Sequence, residues 1–336
     1  MKRPLLTVLA AALLLGPLAT LTAQADEVRS RMIRFGYGLN EQSNQGRAAK
    51  LFAEEVAKAS EGKLKMRTYA AASLGSDDQM QSALIGGAQE MMVGSTATLV
   101  GITPAMAVWD TPFLFTREQQ ADAVLDGPVG RQVMDKLEEK GLVGLVYWEN
   151  GFRNMTNNTR PITRLEDFSG IKLRVMPNPV FLETFKLMGA NAVPLPFSEL
   201  FTALETKAVD GQENPFNTIL SSKFFEVQKY LTVTNHVYSP WIVTVSKRWW
   251  DGLSPTEQGI LMDAAIKARD FERRDTREEA VKALAQLEEK GMQVNTISAA
   301  EVQRMREQAK PAIQRVIDTV GQPLFDQVQA ELAKAE

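Results

Sequence analysis

After Pro255 the chain runs to Gly291 without another proline, and Gly259 is the only glycine on the way. Ser254, Pro255 and Glu257 make a strong helix start, as N-cap, first residue and third residue. Gly291 is a natural terminator. The pattern predicts one helix over 255–290, roughly 54 Å long at ~1.5 Å per residue. Its middle, KARDFERRDTREE, is charged almost all round. A helix this long and this polar outreaches one small lobe and is predicted to bridge two through solvent.

The rest of the chain is consistent with two lobes. Lys2 and Arg3, the largely apolar run Leu5 to Leu21, and Ala23 and Ala25 in TAQAD read as a secretory signal peptide over 1–25. About 310 residues remain, more than one core usually holds. There is no cysteine, which removes disulfides, thiol nucleophiles and cysteine metal sites together. Without Lys2 and Arg3, 36 basic residues face 41 acidic ones, a net charge of −5. A mildly acidic chain without a basic patch suits neither nucleic acid nor anionic membrane. His236 is the only histidine and reads as a structural hydrogen-bonder. HExxH, GxSxG, GxGxxG and the Walker loop are all missing from the sequence, so no catalytic residue, metal or cofactor is expected.

Strands and helices alternate. RMIRFGYGLN (31–40) reads as a strand ending in a Gly-punctuated turn, Ser43 to Ser60 as a helix, and KLKMRTY (63–69) as the next strand, a βαβ unit. SDDQ (76–79) is a capping box, with Asp77 and Asp78 as first-turn helix charges. EMMVGST is a strand, TREQ (116–119) caps a helix, and GPVG starts another that ends near Gly141. LVGLVYW (142–148) reads as a central strand covered on both faces. A second α/β set follows, with strands at IKLRV, NAVPLP and AVDGQENP, and HVYSPWIVTVS (236–246) as a long β-rich crossing.

In GIKLRVMPNP, Lys172 and Arg174 share one strand face. Either that face is wet, or Arg174 stands at the carboxyl end of a sheet strand, where open α/β folds place ligands. Arg153 follows strand 142–148 in the same way, and Gln212, Glu213 and Asn214 end the strand before Pro215. Arginine matches a carboxylate with two parallel N–H···O bonds. Trp148, Phe152, Phe197 and Trp241 are aromatic neighbours that suit a small-molecule pocket. Against this, Arg174 can equally pair with a structural carboxylate, Trp148 and Phe197 can be core, and Lys172 can simply reach water. Glu149 and Glu213 read either as groups that orient the arginines or as the paired acids of a hydrolase.

GFRNMTNNTRPI, DFSGIKLRVMPNPVFLETFKLMGANAVPLPFSELFTALETKAVDGQENP and FFEVQKYLTVTNH resemble the extracytoplasmic solute-binding proteins of TRAP transporters, the DctP type. The similarity runs from about Ile33 to the C-terminus. It implies a two-lobe α/β periplasmic binding-protein fold crossed by a long helix. The carboxylate-clamping arginine falls on Arg174, the second arginine on Arg153, the ligand-facing asparagine on Asn214 and the packing aromatic on Phe197. The loop after strand one falls on Gly38 to Asn40, and Ser95 stands where the sialic-acid branch carries an acid. Asn40, Ser95, Asn178, Trp148 and Trp241 complete the expected ligand set.

The expectation is a monomeric periplasmic receptor for a small organic acid, a C4-dicarboxylate or a 2-hydroxy or 2-oxo acid, delivering to TRAP membrane subunits. Lobe I is expected over 26–150 plus 240–278 and lobe II over 151–239 plus 279–336. Because the partners named beside the two arginines are neutral, tricarboxylates and bulky sugar acids are expected to fail. Two other readings share the pocket: an exported lyase or hydrolase acting through Glu149 or Glu213, and a ligand-gated partner of a sensor kinase.

Overall fold

The computed structural model describes residues 27–335, so the expected leader lies outside the described residues. The chain begins with β1 (Arg31–Tyr37), α1 (Asn44–Ala59), β2 (Leu64–Tyr69), α2 (Asp77–Gly86) and β3 (Met91–Ser95). A stretch of 3-10 turns leads to α3 (Glu118–Leu125), α4 (Pro128–Asp135) and β4 (Leu142–Phe152). Then come β5 (Asn154–Asn157), β6 (Lys172–Val175), α5 (Pro179–Leu187), β7 (Asn191–Pro194), α6 (Phe197–Glu205), β8 (Gly211–Asn214), α7 (Phe216–Ser221) and β9 (Tyr230–Val233). The last part is β10 (Tyr238–Ser246), α8 (Lys247–Trp250), α9 (Pro255–Glu289), β11 (Gln293–Thr296), α10 (Ala299–Gln308), α11 (Lys310–Val320) and α12 (Gln322–Lys334).

Two sheets result. The first has the order β2-β1-β3-β10-β4, and β10 runs antiparallel to both neighbours. The second has the order β11-β9-β5-β8-β6-β7. Each is packed with apolar side chains on both faces. Tyr147 and Ile242 face one core with α3 and α4, while Phe35, Trp148 and Val243 face another with α1. The second sheet has Leu173, Phe181 and Phe185 in one core and Leu204, Ile219 and Leu231 in the other. β4 is covered as expected, but it is the last strand in the order, and β10 takes the interior place.

α9 is continuous, and its capping box is formed: Ser254 Oγ accepts from Glu257 N–H, and Glu257 Oε2 accepts from Ser254 N–H at 2.8 Å. Its first half places Leu261, Ala264 and Ala268 in a core of the first sheet, and Leu287 near its end belongs to a core of the second. The expectation of a solvent bridge is corrected here. Glu272 and Arg273 in the charged middle are buried. Arg273 reaches Asp126 at 2.6 Å, and Arg277 reaches Asp122 and Glu149. Charge at this density reads as solvated in sequence, and here it is paired across a contact.

Two local expectations also change. α3 starts at Glu118 without a side-chain cap, because Thr116 Oγ1 donates to Gln120 Oε1 instead. α4 ends at Asp135, and a 3-10 turn carries the chain to Gly141. At the C-terminus, Val316 of α11 and Leu324, Val328 and Leu332 of α12 pack into the core of α3 and α4. The last helices therefore return to the first sheet instead of staying with the second lobe as 279–336 was expected to do.

Candidate ligand site

The polar groups of the site stand where strands end. β1 ends before Gly38, β3 ends at Ser95, Arg174 is next to last on β6, and Asn214 is last on β8. Arg153 is the single residue between β4 of the first sheet and β5 of the second. Its N–H donates to Val237 O at 2.9 Å, which pairs the two crossing segments. Among the lining residues of the cavity between the sheets are Arg153, Arg174, Asn214, Phe197, Ser95 and Trp241. Counted over positions a water centre can occupy, its volume is about 60 Å³. One water needs ~10–15 Å³, so the space fits a molecule of several heavy atoms.

The two arginines are held differently. Arg153 is fully buried, and its Nε and Nη2 both donate to the Glu213 carboxylate. Nη2 also reaches Glu213 O at 2.5 Å and Asn214 Oδ1 at 3.2 Å. Burial works against the Glu213 carboxylate, yet Arg153 and His236 hold it below the usual range. His236 donates or accepts at both ring nitrogens, 2.8 Å from Thr234 Oγ1 and 3.0 Å from Glu213 Oε2, so its role is structural. Among the described residues Arg174 has one acceptor, Leu195 O at 2.8 Å from Nε. Burial lowers its pKa to about 10, with Arg153 adding to the drop and Glu213 and Asp77 opposing it. Nη1 of each arginine is buried without a partner. Arg174 is 1 % exposed, which removes the wet-face reading, while Lys172 on the same strand is exposed.

Three expected residues lie elsewhere. Trp148 packs edge-on against Phe35 in a first-sheet core, 0 % exposed. Asn40 Nδ2 donates to Ser221 O, a tie between the two halves. Asn178 caps α5 through Val180 and Phe181 and donates to Ala97 O and Asp110 Oδ2, both at 2.8 Å. Glu149 does not orient Arg153; Arg277 holds it.

Asp77, Asp78, Gln45, Asn150 and Met176 also line the cavity. Asp77 Oδ2 accepts from Ser95 N–H at 3.0 Å. Gly94 makes room for it, since a Cβ there would stand 2.9 Å from that oxygen. Burial pushes the Asp77 carboxyl up to about 6, against the Ser95 hydrogen bond and the charge of Arg174, with Asp78 adding to the rise. The premise of neutral partners is therefore corrected: a carboxylate shares the cavity with the arginines. In sequence Asp77 reads as a first-turn helix charge, and no local signal shows its second contact.

A family model described as bacterial extracellular solute-binding protein, family 7 (DctP), matches residues 35–319. The chain belongs to this family. The chain is 39% identical to the 2,3-diketo-L-gulonate-binding periplasmic protein of Escherichia coli (strain K12), over 80% of this chain and 81% of that one. It is 31% identical to the C4-dicarboxylate-binding periplasmic protein of Rhodobacter capsulatus, over 90% and 91%. The sugar acid binding protein of Advenella mimigardefordensis, solved in complex with galactonate, superposes with a TM-score of 0.90 at 47% identity, covering 92% of this chain and all of that one. Among the described residues no helix is long and apolar enough to cross a membrane, and no cluster of acidic or histidine side chains could hold a metal ion.

Proposed function

We propose that this chain captures a small organic acid by its carboxylate, and that the acid is a polyhydroxy monocarboxylate in preference to a plain dicarboxylate. The observation that carries this is that two buried arginines, each with an Nη1 that no acceptor among the described residues meets, line the cavity together with the Asp77 carboxylate. A buried cationic donor without an acceptor costs several kcal/mol, and a ligand carboxylate removes that cost at Arg174. A second carboxylate would meet Asp77, whereas a hydroxyl can donate to it. With Asp77 on the cavity wall the surroundings of the arginines are not neutral, and sugar acids are no longer expected to fail. Relatives named for diketo-gulonate and galactonate at 39% and 47% identity support this choice over the dicarboxylate relative at 31%.

The receptor works in the periplasm as a monomer and hands its ligand to TRAP membrane subunits. Its lobes are 26–150 plus 240–278, joined by α11 and α12, and 151–239 plus the remainder of the chain. Binding is favoured over catalysis because both candidate acids are occupied: Glu149 by Arg277, and Glu213 by Arg153 and His236. A partner screen separates a transporter from a sensor kinase.

Calorimetry with galactonate, gluconate, erythronate, succinate, malate and citrate tests the reading. At least one aldonate is expected to bind at high nanomolar to micromolar Kd, near −8 to −9 kcal/mol, unchanged by a chelator and with no turnover. Tight binding of succinate with no aldonate bound would refute the polyhydroxy assignment, and steady conversion of a bound acid would refute the receptor.

A further inference from the structure

Gln45 has half-finished hydrogen bonding on the cavity wall. It sits at the second position of α1, just behind the Ser43 cap, and is 2 % exposed. Its Oε1 accepts from Leu39 N–H at 3.0 Å. A backbone N–H only donates, so this bond settles which end of the carboxamide is oxygen. The NH2 group is turned away from Leu39 and has no protein acceptor among the described residues. Unlike Nη1 of Arg153 and Arg174, it is not sealed off, and the space Gln45 lines is the ligand cavity.

The walls differ in chemistry. Arg174 and Asn214 come from second-sheet strands and Arg153 from the crossing, while Gln45 and Asp77 come from α1 and α2, beside the first sheet. Near the arginines the site takes a carboxylate. From the side of α1 and α2 it offers one group that donates, the Gln45 NH2, and one that accepts, the Asp77 carboxylate. A hydroxyl both donates and accepts, so a run of hydroxyls satisfies the pair. A second carboxylate satisfies Gln45 and is repelled by Asp77. A bare methylene chain satisfies neither and leaves both desolvated.

We infer that Gln45 is a specificity-determining residue, which donates from its NH2 to a hydroxyl or carbonyl oxygen of the ligand remote from the carboxylate. The assignment rests on the function proposed above and adds the group that reads the ligand's other end. It predicts that chain length and remote oxygens, as well as the carboxylate, decide affinity.

Gln45→Glu keeps an Oε1 for the Leu39 N–H and nearly the same shape, and exchanges the free donor for an acceptor. Gln45→Met, close in shape and uncharged, serves if the buried carboxylate prevents folding. Calorimetry with galactonate and with glycerate, which lacks the remote hydroxyls, reads the effect beside a thermal melt. The expected result is a melting temperature close to the unmodified protein's and a loss for galactonate at least ten-fold larger than for glycerate. Equal losses for both acids, or no loss for either, overturn the assignment while leaving the receptor in place. If the unmodified protein binds neither acid, the proposed function falls and takes this assignment with it.

Discussion

Lysine at Arg174 keeps the charge and loses the planar fork. Because Arg174 has a single acceptor among the described residues, a backbone carbonyl, R174K is expected to weaken ligand binding by about 2–4 kcal/mol with little change in melting temperature. Arg153 is the reverse case. Its guanidinium satisfies both oxygens of the buried Glu213 carboxylate and also Asn214, which lysine cannot do, so R153K should lose about 1–3 kcal/mol of stability alongside any loss of affinity. Equal melting temperatures for the two variants would show that Glu213 does not depend on Arg153. Asp110 offers a test by pH. It is 2 % exposed, and burial pushes its carboxyl up to about 8, against the hydrogen bond from Asn178 and the charge of Arg153, with Glu213 adding to the rise. The folded state therefore holds this proton at pH values where the unfolded chain has lost it. The stability it contributes is complete below the unfolded pKa and is lost as pH climbs through about 8. Asp110→Asn can still accept from Asn178 and cannot titrate. Thermal melts from pH 6 to 9 should show the unmodified protein declining by up to ~1.4 kcal/mol per pH unit more steeply than the variant. Parallel curves would remove the claim.

At the scale of elements, α9 is pinned at its middle by one hydroxyl. Thr276 Oγ1 donates to Glu272 Oε1 and accepts from Asn44 Nδ2 of α1, each at 2.8 Å, and Thr276 O accepts from Asn217 Nδ2 of α7. Thr276→Val keeps the shape and takes the 2.8 Å partner from both Asn44 Nδ2 and Glu272 Oε1, leaving them only their 3.4 Å bond to each other. It should cost about 1–3 kcal/mol, read as a lower denaturant midpoint at unchanged m-value and helicity. A midpoint equal to the unmodified protein's would mean that the node holds nothing. Local grammar made α9 legible: its cap, its start and its stop lie in the sequence within a few residues of each end. The same grammar hid the surroundings of α9, because the partners of Arg273 and Arg277 are well over a hundred residues away. Arg174 and Asn214 were legible as strand-end groups. Trp148 also stands near a strand end, but period two sends Tyr147 and Trp148 to opposite faces, and both faces of that sheet are covered. Gln45 and Asp77 were missed because first-turn helix positions already account for such residues, and only tertiary packing turns their free ends inward.

For the whole molecule, two contacts join the halves beside the cavity, and losing one should favour a more open arrangement over a closed one. Asn40 to Ser221, and Ser95 Oγ to Met176 Sδ at 3.5 Å, join the two halves. Asn40 does not line the cavity, so Asn40→Ala should lower the closed population and weaken every ligand by a common factor. The ratio of galactonate to succinate affinity should stay fixed, and X-ray scattering should show a larger radius of gyration without ligand. A changed ratio would place Asn40 on the ligand after all. The position of β10 has a consequence for how the molecule is made. The first sheet cannot join β3 to β4 until residues 238–246 are available, because β10 stands between them. A nascent chain stalled before that point carries two unpaired ladders, the condition that invites edge-to-edge association. Synthesis therefore leaves the first sheet unfinished for most of the length of the chain. Fragments ending between Asn235 and Tyr238 should accumulate as aggregates, whereas the full chain closes its first sheet once β10 has slotted in.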